Sequence, residues 1–226
     1  MSYVIEAPVY PVVPVVGGGE FPVRRIFCIA KNYQAEARGP DDDPKTGFPP
    51  VFTKPGDAIH LGGDLPYPLS TDNLHYEGEL VVALKSGGTN LTDADLPNCI
   101  YGYAAGCDLT RRDWLDKVRE VKGPWDLAKA FDDGAVIGPI TPDNRVRLTG
   151  SVRTTIDGVV RQDGDLNQMI WSIPGIMKAL STTVELKAGD LIYTGTPAGI
   201  DEVKLGEETR IDIDGVEPVT FKLVSR

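Results

Sequence analysis

Residues 74 to 84 read LHYEGELVVAL, a run with the look of a buried strand that nonetheless carries Glu77 and Glu79 two positions apart. Side chains alternate faces along a strand, so the two glutamates share a face with His75, Val81 and Ala83, while Leu80, Val82 and Leu84 line the other. A solvated edge strand would explain the glutamates but suits Val81 and Ala83 poorly. On a half-buried face, two like charges repel each other and resist desolvation. The competing explanation is a cation between them. Asp108, where the apolar run IYGYAAGC (100–107) meets a polar segment, would add a third hard oxygen donor. Such a set suits Mg²⁺ or Mn²⁺, with coordination positions left for water and substrate. Two histidines in the whole chain give little material for a zinc or iron site built on imidazole. His75 is placed to orient a ligand from behind. Pattern alone leaves the solvated edge and the metal site both open.

The elements that would carry these residues are mostly short strands. VRRIFCIA (23–30), VFTKP ending at Pro55, and the 74–84 and 100–107 runs read as strands, and Asp157-Gly158 marks a hairpin turn. KNYQAEARG (31–39) has room for one helical turn, and the Pro-, Gly- and Asp-rich GPDDDPKTGFPP after it is a loop. Two helices are expected. One spans 108–121, with Asp108 and Thr110 as cap candidates; the other spans 166–182, interrupted at Pro174. Two helices against roughly ten strands make a β-dominated α+β domain. The expected division is an extended N-terminal segment, 1–20, and one domain, 21–226.

Composition narrows the partners. A net charge of −10 and a pI near 4.7 argue against a nucleic acid or an anionic membrane surface. They leave room for an anionic small molecule wherever a metal or a lysine reverses the local field. Cys28, Cys99 and Cys107 are odd in number and widely spaced, which suits a reducing cytoplasm rather than a disulfide framework. The apolar start, broken by Glu6 and three prolines, reads as extended structure and not as a signal peptide.

The segments HYEGEL, GCDLTRRDW, LAKAF, RQDGDLNQMIWSIP and GDLIYTGTPAGI, in this order, resemble the fumarylacetoacetate hydrolase family. The similarity runs from about Phe21 to the C-terminus. FPVRRIFC, KNY and LPYPLSTDNLHYEGEL resemble its fumarylpyruvate hydrolase branch. The resemblance implies a mixed β-sandwich roll, a homodimer, and Glu77, Glu79 and Asp108 as ligands of Mg²⁺ or Mn²⁺. It places Lys129 near the metal, and Arg112, Gln162 and Thr196 where they contact substrate or order the site. Lys54 in TKP falls in a family motif without a clear role. Each has a plainer reading: a surface lysine for Lys129, a hairpin surface for Gln162, a turn ahead of Pro197 for Thr196.

One motif departs from the family. Hydrolytic members carry N-Y-x-x-H with a glutamate three residues on, a dyad that activates water. Here the segment is Asn32-Tyr33-Gln34-Ala35-Glu36, and Gly39 stands where the glutamate would be. Glu36 and Lys129 remain as candidate proton carriers. A free glutamate, with a pKa of about 4.3, is a poor base at neutral pH unless burial raises it. A positioned general base contributes ~10²–10⁴ in rate, so its loss matters for hydrolysis. The expected activity is metal-dependent cleavage of a C–C bond in a fumarylpyruvate-like acylpyruvate. The alternative is tautomerisation or decarboxylation of an oxaloacetate-like keto acid, which needs less machinery. A binding protein without catalysis is the third class, disfavoured by the retained carboxylates and Lys129.

Overall fold

A strand apolar on both faces has to be covered on both, and Gly78–Leu84, buried at every position, lies mid-way across an eight-stranded mixed sheet. The computed structural model describes residues 3–34 and 47–226. The order across that sheet is Val51–Lys54, Arg25–Ile29, Asp190–Tyr193, Gly78–Leu84, Ile100–Asp108, Ala135–Ile137 and Ile59–His60, with Thr141–Pro142 paired to Ile100–Asp108. Asp190–Tyr193 runs parallel to Arg25–Ile29 and antiparallel to Gly78–Leu84. Leu80, Val82 and Leu84 enter one core with Ile211 and Phe221 of a second sheet and with Ile176, Met177 and Leu180 of a helix. That second, five-stranded sheet runs Val159–Asp165, Ser151–Ile156, Glu208–Ile213, Val219–Val224 and Gly63–Pro66. Val81 and Ala83 face the other way, into a core with Cys28, Ala104 and Tyr193. The chain is therefore a strand-dominated α+β sandwich of curled mixed sheets, as the resemblance implied.

Several local expectations need correction. The 74–84 run is not one strand: Leu74–Tyr76 belongs to a three-stranded sheet with Thr110–Arg111 and Asp201–Glu202, and the chain changes sheets at Glu77. Gly78 permits the change, because a Cβ there would lie 2.1 Å from the Thr154 hydroxyl oxygen. The first long helix begins at Arg112 and not at Asp108, and Asp108 and Thr110 cap nothing. Asp108 ends its strand, and the Thr110 hydroxyl donates to Glu77 Oε1 at 2.7 Å. Pro174 does not interrupt the second helix; it lies in the first turn of Ile173–Thr183, where a missing N–H costs nothing, behind Ser172 as N-cap. The segment before it is a separate 3₁₀ turn, Leu166–Gln168, closed by an Asp165–Gln168 capping box. Tyr33 bridges to Met169, and the rest of the expected helical turn over 31–39, from residue 35 on, lies outside the described residues.

The expected N-terminal segment is joined to the rest by the pairing of Val12–Pro14 with Glu20–Pro22, and Val13 is fully buried beside Phe21. Cys28, Cys99 and Cys107 are free and buried. Among the described residues, no helix is long and apolar enough to cross a membrane.

Candidate metal centre

Register brings the carboxylates together. Gly78 pairs with Cys107 and Glu79 with Gly106, so Glu77 and Asp108 face each other where the two strands part. The Asp108 amide donates to the Glu77 carbonyl at 2.9 Å. One carboxylate oxygen from each of Glu77, Glu79 and Asp108 lies within 4.8 Å of the others. Glu79 and Asp108 are each 1 % exposed, which rules out the solvated-edge reading.

Two buried ammonium groups answer this charge. The short Asp126–Lys129 helix, which the sequence reading missed, presents Lys129, whose Nζ donates to Glu77 Oε1 at 2.9 Å and to Asp108 Oδ2 at 2.8 Å. Burial pulls the Lys129 pKa down, but Asp108 and Glu77 more than offset it and hold it above the ordinary lysine value. Lys129 is thus a fixed cation and a poor base. Lys54 acquires a role here. Its Nζ donates to the carbonyls of Leu109 at 3.0 Å, Gly134 at 2.9 Å and Lys129, and lies 2.8 Å from Asp108 Oδ1.

The lysines leave a gap. Lys54 directs hydrogen bonds at carbonyls, so buried Asp108 Oδ1 receives charge but accepts no hydrogen bond. Glu79 accepts from the Gly195 amide at Oε2, 2.7 Å away, but neither ammonium is bonded to it. Burial, then Asp108, then Glu77 hold its pKa well above the usual carboxylate range. Three carboxylates against two lysines leave one negative charge in excess. An uncompensated glutamate and a hard-oxygen donor set fit a divalent cation.

The surrounding turns hold this geometry. Gly195 has φ +94°, and a Cβ there would meet the Asn32 Cβ at 2.6 Å, so glycine alone brings its amide to Glu79. Asn32, fully buried, donates to the carbonyls of Trp171 at 3.0 Å and Thr194 at 2.7 Å and accepts from the Trp171 amide. Gln162 and Thr196 grip the peptides around Gly78. The Gly78 amide donates to Gln162 Oε1 at 2.9 Å, Thr196 Oγ1 donates to the Gly78 carbonyl at 2.8 Å, and Gln162 Nε2 donates to Thr196 Oγ1 at 2.7 Å. Gln162 is fully buried, so the plain hairpin-surface reading fails.

A cavity of about 220 Å³ opens over the carboxylates, its wall including Glu77, Glu79, Lys129, Thr196 and Arg112. The structure thus brings five of the expected site residues to one wall and places Asp108 beneath them. Gln162 stands one layer back, holding Gly78 rather than lining the cavity. His75 has no hydrogen bond to either glutamate among the described residues; burial and the charge of Arg112 lower its pKa. Glu36 and Gly39 lie outside the described residues. Sequence reasoning missed Phe52, Trp125 and Arg119 in the wall. The one available signal was a tryptophan in the GPW turn just ahead of LAKAF.

Known proteins share this arrangement of chain. The family described as fumarylacetoacetate (FAA) hydrolase C-terminal matches residues 25–224. A fumarylpyruvate hydrolase of Ralstonia sp is 36% identical over 172 residues, covering 75% of this chain and 90% of that protein. The mitochondrial oxaloacetate tautomerase FAHD1 of Rattus norvegicus is 33% identical over 203 residues, 88% of this chain and 91% of that one. The crystal structure of fumarylpyruvate hydrolase from Pseudomonas aeruginosa in complex with Mn²⁺ and pyruvate aligns over 100% of both chains, with a TM-score of 0.93 and 36% identity.

Proposed function

The chain belongs to the fumarylacetoacetate hydrolase family, and from that premise we propose that it is a Mg²⁺- or Mn²⁺-dependent hydrolase of a fumarylpyruvate-like acylpyruvate. The observation that carries the reading is the trio of half-buried Glu77 and buried Glu79 and Asp108, one negative charge in excess of Lys54 and Lys129, at the floor of a small cavity. A divalent cation held by the three carboxylates would supply a Lewis acid that grips an α-keto acid and steadies negative charge on its oxygen. The similarity to a fumarylpyruvate hydrolase solved with Mn²⁺ and pyruvate supports that choice.

The chain's own residues divide the remaining work. Lys129, fixed by two carboxylates and facing the cavity, offers positive charge where an enolate develops. Thr196 lines the floor and, with Gln162, keeps Gly78 in place between the two glutamates. Arg112 adds a guanidinium at the wall for an anionic substrate. In the reaction, water adds to the acyl carbonyl, the adjacent C–C bond breaks, and the pyruvate enolate collects a proton. Lys129, held as a cation, acts by its charge and not as acid or base, so the proton the enolate collects is the one taken from water. Removal of the water proton falls to Glu36, which stands where hydrolytic members carry histidine. The reading extends to a homodimer in a reducing cytoplasm, the compartment that three free buried cysteines suit.

One observation favours a second reading. With Glu36 in place of the histidine and Gly39 in place of its glutamate, a proton shuttle is better supplied than a water-activating pair. Tautomerisation of oxaloacetate, the activity named for the rat relative, would need only the shuttle; decarboxylation would need only the metal. The test is a product assay with fumarylpyruvate and oxaloacetate, each with Mg²⁺ and with chelator. Metal-dependent release of equal fumarate and pyruvate is the expected result. Intact fumarylpyruvate beside accelerated oxaloacetate enol–keto exchange or CO₂ loss would put the second reading first.

A further inference from the structure

One face of the Arg112–Glu120 helix looks into the cavity. Arg112, Leu115 and Arg119, spaced three and four residues apart, all line it. The Arg119 guanidinium lies over the Trp125 ring, 5.3 Å from its centroid, and Trp125 lines the same cavity and packs on Phe52 at 5.7 Å. Stacking on an aromatic face fixes the plane of a guanidinium while leaving its edge free to donate. Arg112 and Arg119 share one carboxylate, Asp116, at 3.0 Å and 4.0 Å. That leaves the helix face with one positive charge in excess, opposite in sign to the carboxylate floor. A ligand in this cavity therefore meets both the carboxylate floor and a guanidinium braced on an aromatic ring. The volume, about 220 Å³, lies below the roughly 300–1,000 Å³ of drug-sized sites and suits a small linear metabolite.

We propose that Arg119, braced by Trp125 and seconded by Arg112, binds the distal carboxylate of the substrate and selects dicarboxylic over monocarboxylic acylpyruvates. This rests on the acylpyruvate reading for the keto-acid end.

The test separates the two claims by using ligands that cannot be cleaved. 2-Oxoheptanedioate has the carbon length of fumarylpyruvate without its second carbonyl, and 2-oxoheptanoate replaces the distal carboxylate by a methyl group. Calorimetry with Mg²⁺ is expected to show wild type preferring the diacid by about tenfold, the equivalent of one charge-assisted hydrogen bond. Arg119→Gln should lose most of that preference without changing affinity for 2-oxoheptanoate, and Arg119→Lys should keep part of it. In turnover, Arg119→Gln should lower kcat/KM for fumarylpyruvate. Equal weakening of both ligands, or no diacid preference in wild type, would overturn the assignment. Diacid preference lost in Arg119→Gln, with fumarylpyruvate uncleaved by wild type, would uphold Arg119 and overturn only the hydrolase reading.

Discussion

Replacing Glu79 by glutamine is expected to make the metal-free protein more stable and the metal-loaded protein less so. Glu79 is buried, and its metal-free surroundings give it one backbone amide and two neighbouring carboxylates. At 4.8 Å and an effective dielectric constant of about 20, each such like-charge pair repels by about 3.5 kcal/mol. Lys129 offsets part of this, and the raised pKa lets Glu79 take up a proton, which caps the penalty. Glutamine keeps an oxygen for the Gly195 amide and carries no charge. The net gain expected is about 2 kcal/mol, within the 1–4 seen when buried charges are replaced, or about 4–8 °C in Tm for a domain of this size. The sign with pH follows. A carboxyl whose folded pKa is raised contributes stability at low pH that is lost as pH climbs through it. The advantage of glutamine therefore widens from mildly acidic to mildly alkaline buffer. With Mn²⁺ at a hundredfold excess over Kd, wild type gains about 2.7 kcal/mol and the variant gains little, so the order reverses. Thermal unfolding of both proteins, in chelator and in Mn²⁺, reads all four values. A variant less stable than wild type in chelator would refute the claim that Glu79 is an uncompensated buried charge.

Lys54→Met should lower stability by about 3–5 kcal/mol, the cost of breaking a buried ion pair, because it strips charge from Asp108 and donors from three carbonyls; chemical denaturation measures this, and a loss below 1 kcal/mol would contradict it. Gln162→Leu leaves the buried Gly78 amide without its acceptor, and is expected to weaken Mn²⁺ binding by about tenfold or more, as loss of a ligand-orienting partner does. Calorimetric titration checks it, unchanged affinity being the contrary result. Hydrogen bonds from Arg145, working against partial burial, hold Asp143 at about 2. Its stabilising contribution is complete above the ordinary carboxylate range and disappears as pH falls through that value. The stability difference between wild type and Asp143→Asn should shrink across that acid window, and a constant difference would count against the assignment.

The site was more legible in the sequence than the chain path leading to it. Glu77 and Glu79 betrayed themselves because charge on a face shared with Val81 and Ala83 conflicts with burial, and the structure places both valine and alanine in a core. Lys129 was singled out by the resemblance of LAKAF to a family motif. What periodicity could not show was the break at Glu77, since a change of sheet depends on Thr154, far along the chain, approaching Gly78. Asp108 and Thr110 looked like helix caps because the same side-chain oxygens serve both purposes; only the position of Lys129, Lys54 and Glu77 decides between them. Arg119 and Trp125 were passed over for a plainer reason. An arginine on an exposed amphipathic helix and a tryptophan in a turn carry no local conflict, and only the fold shows that they line one cavity.

The claim at the centre is that Glu77, Glu79 and Asp108 hold a divalent cation that in turn holds an α-keto acid. Calorimetric titration of Mn²⁺ into the metal-free protein, with and without pyruvate, tests it most directly. The expected result is a single site per chain whose affinity rises when pyruvate is present and which disappears in Asp108→Ala. Mn²⁺ binding of undiminished affinity in Asp108→Ala, or indifference to pyruvate, would contradict it.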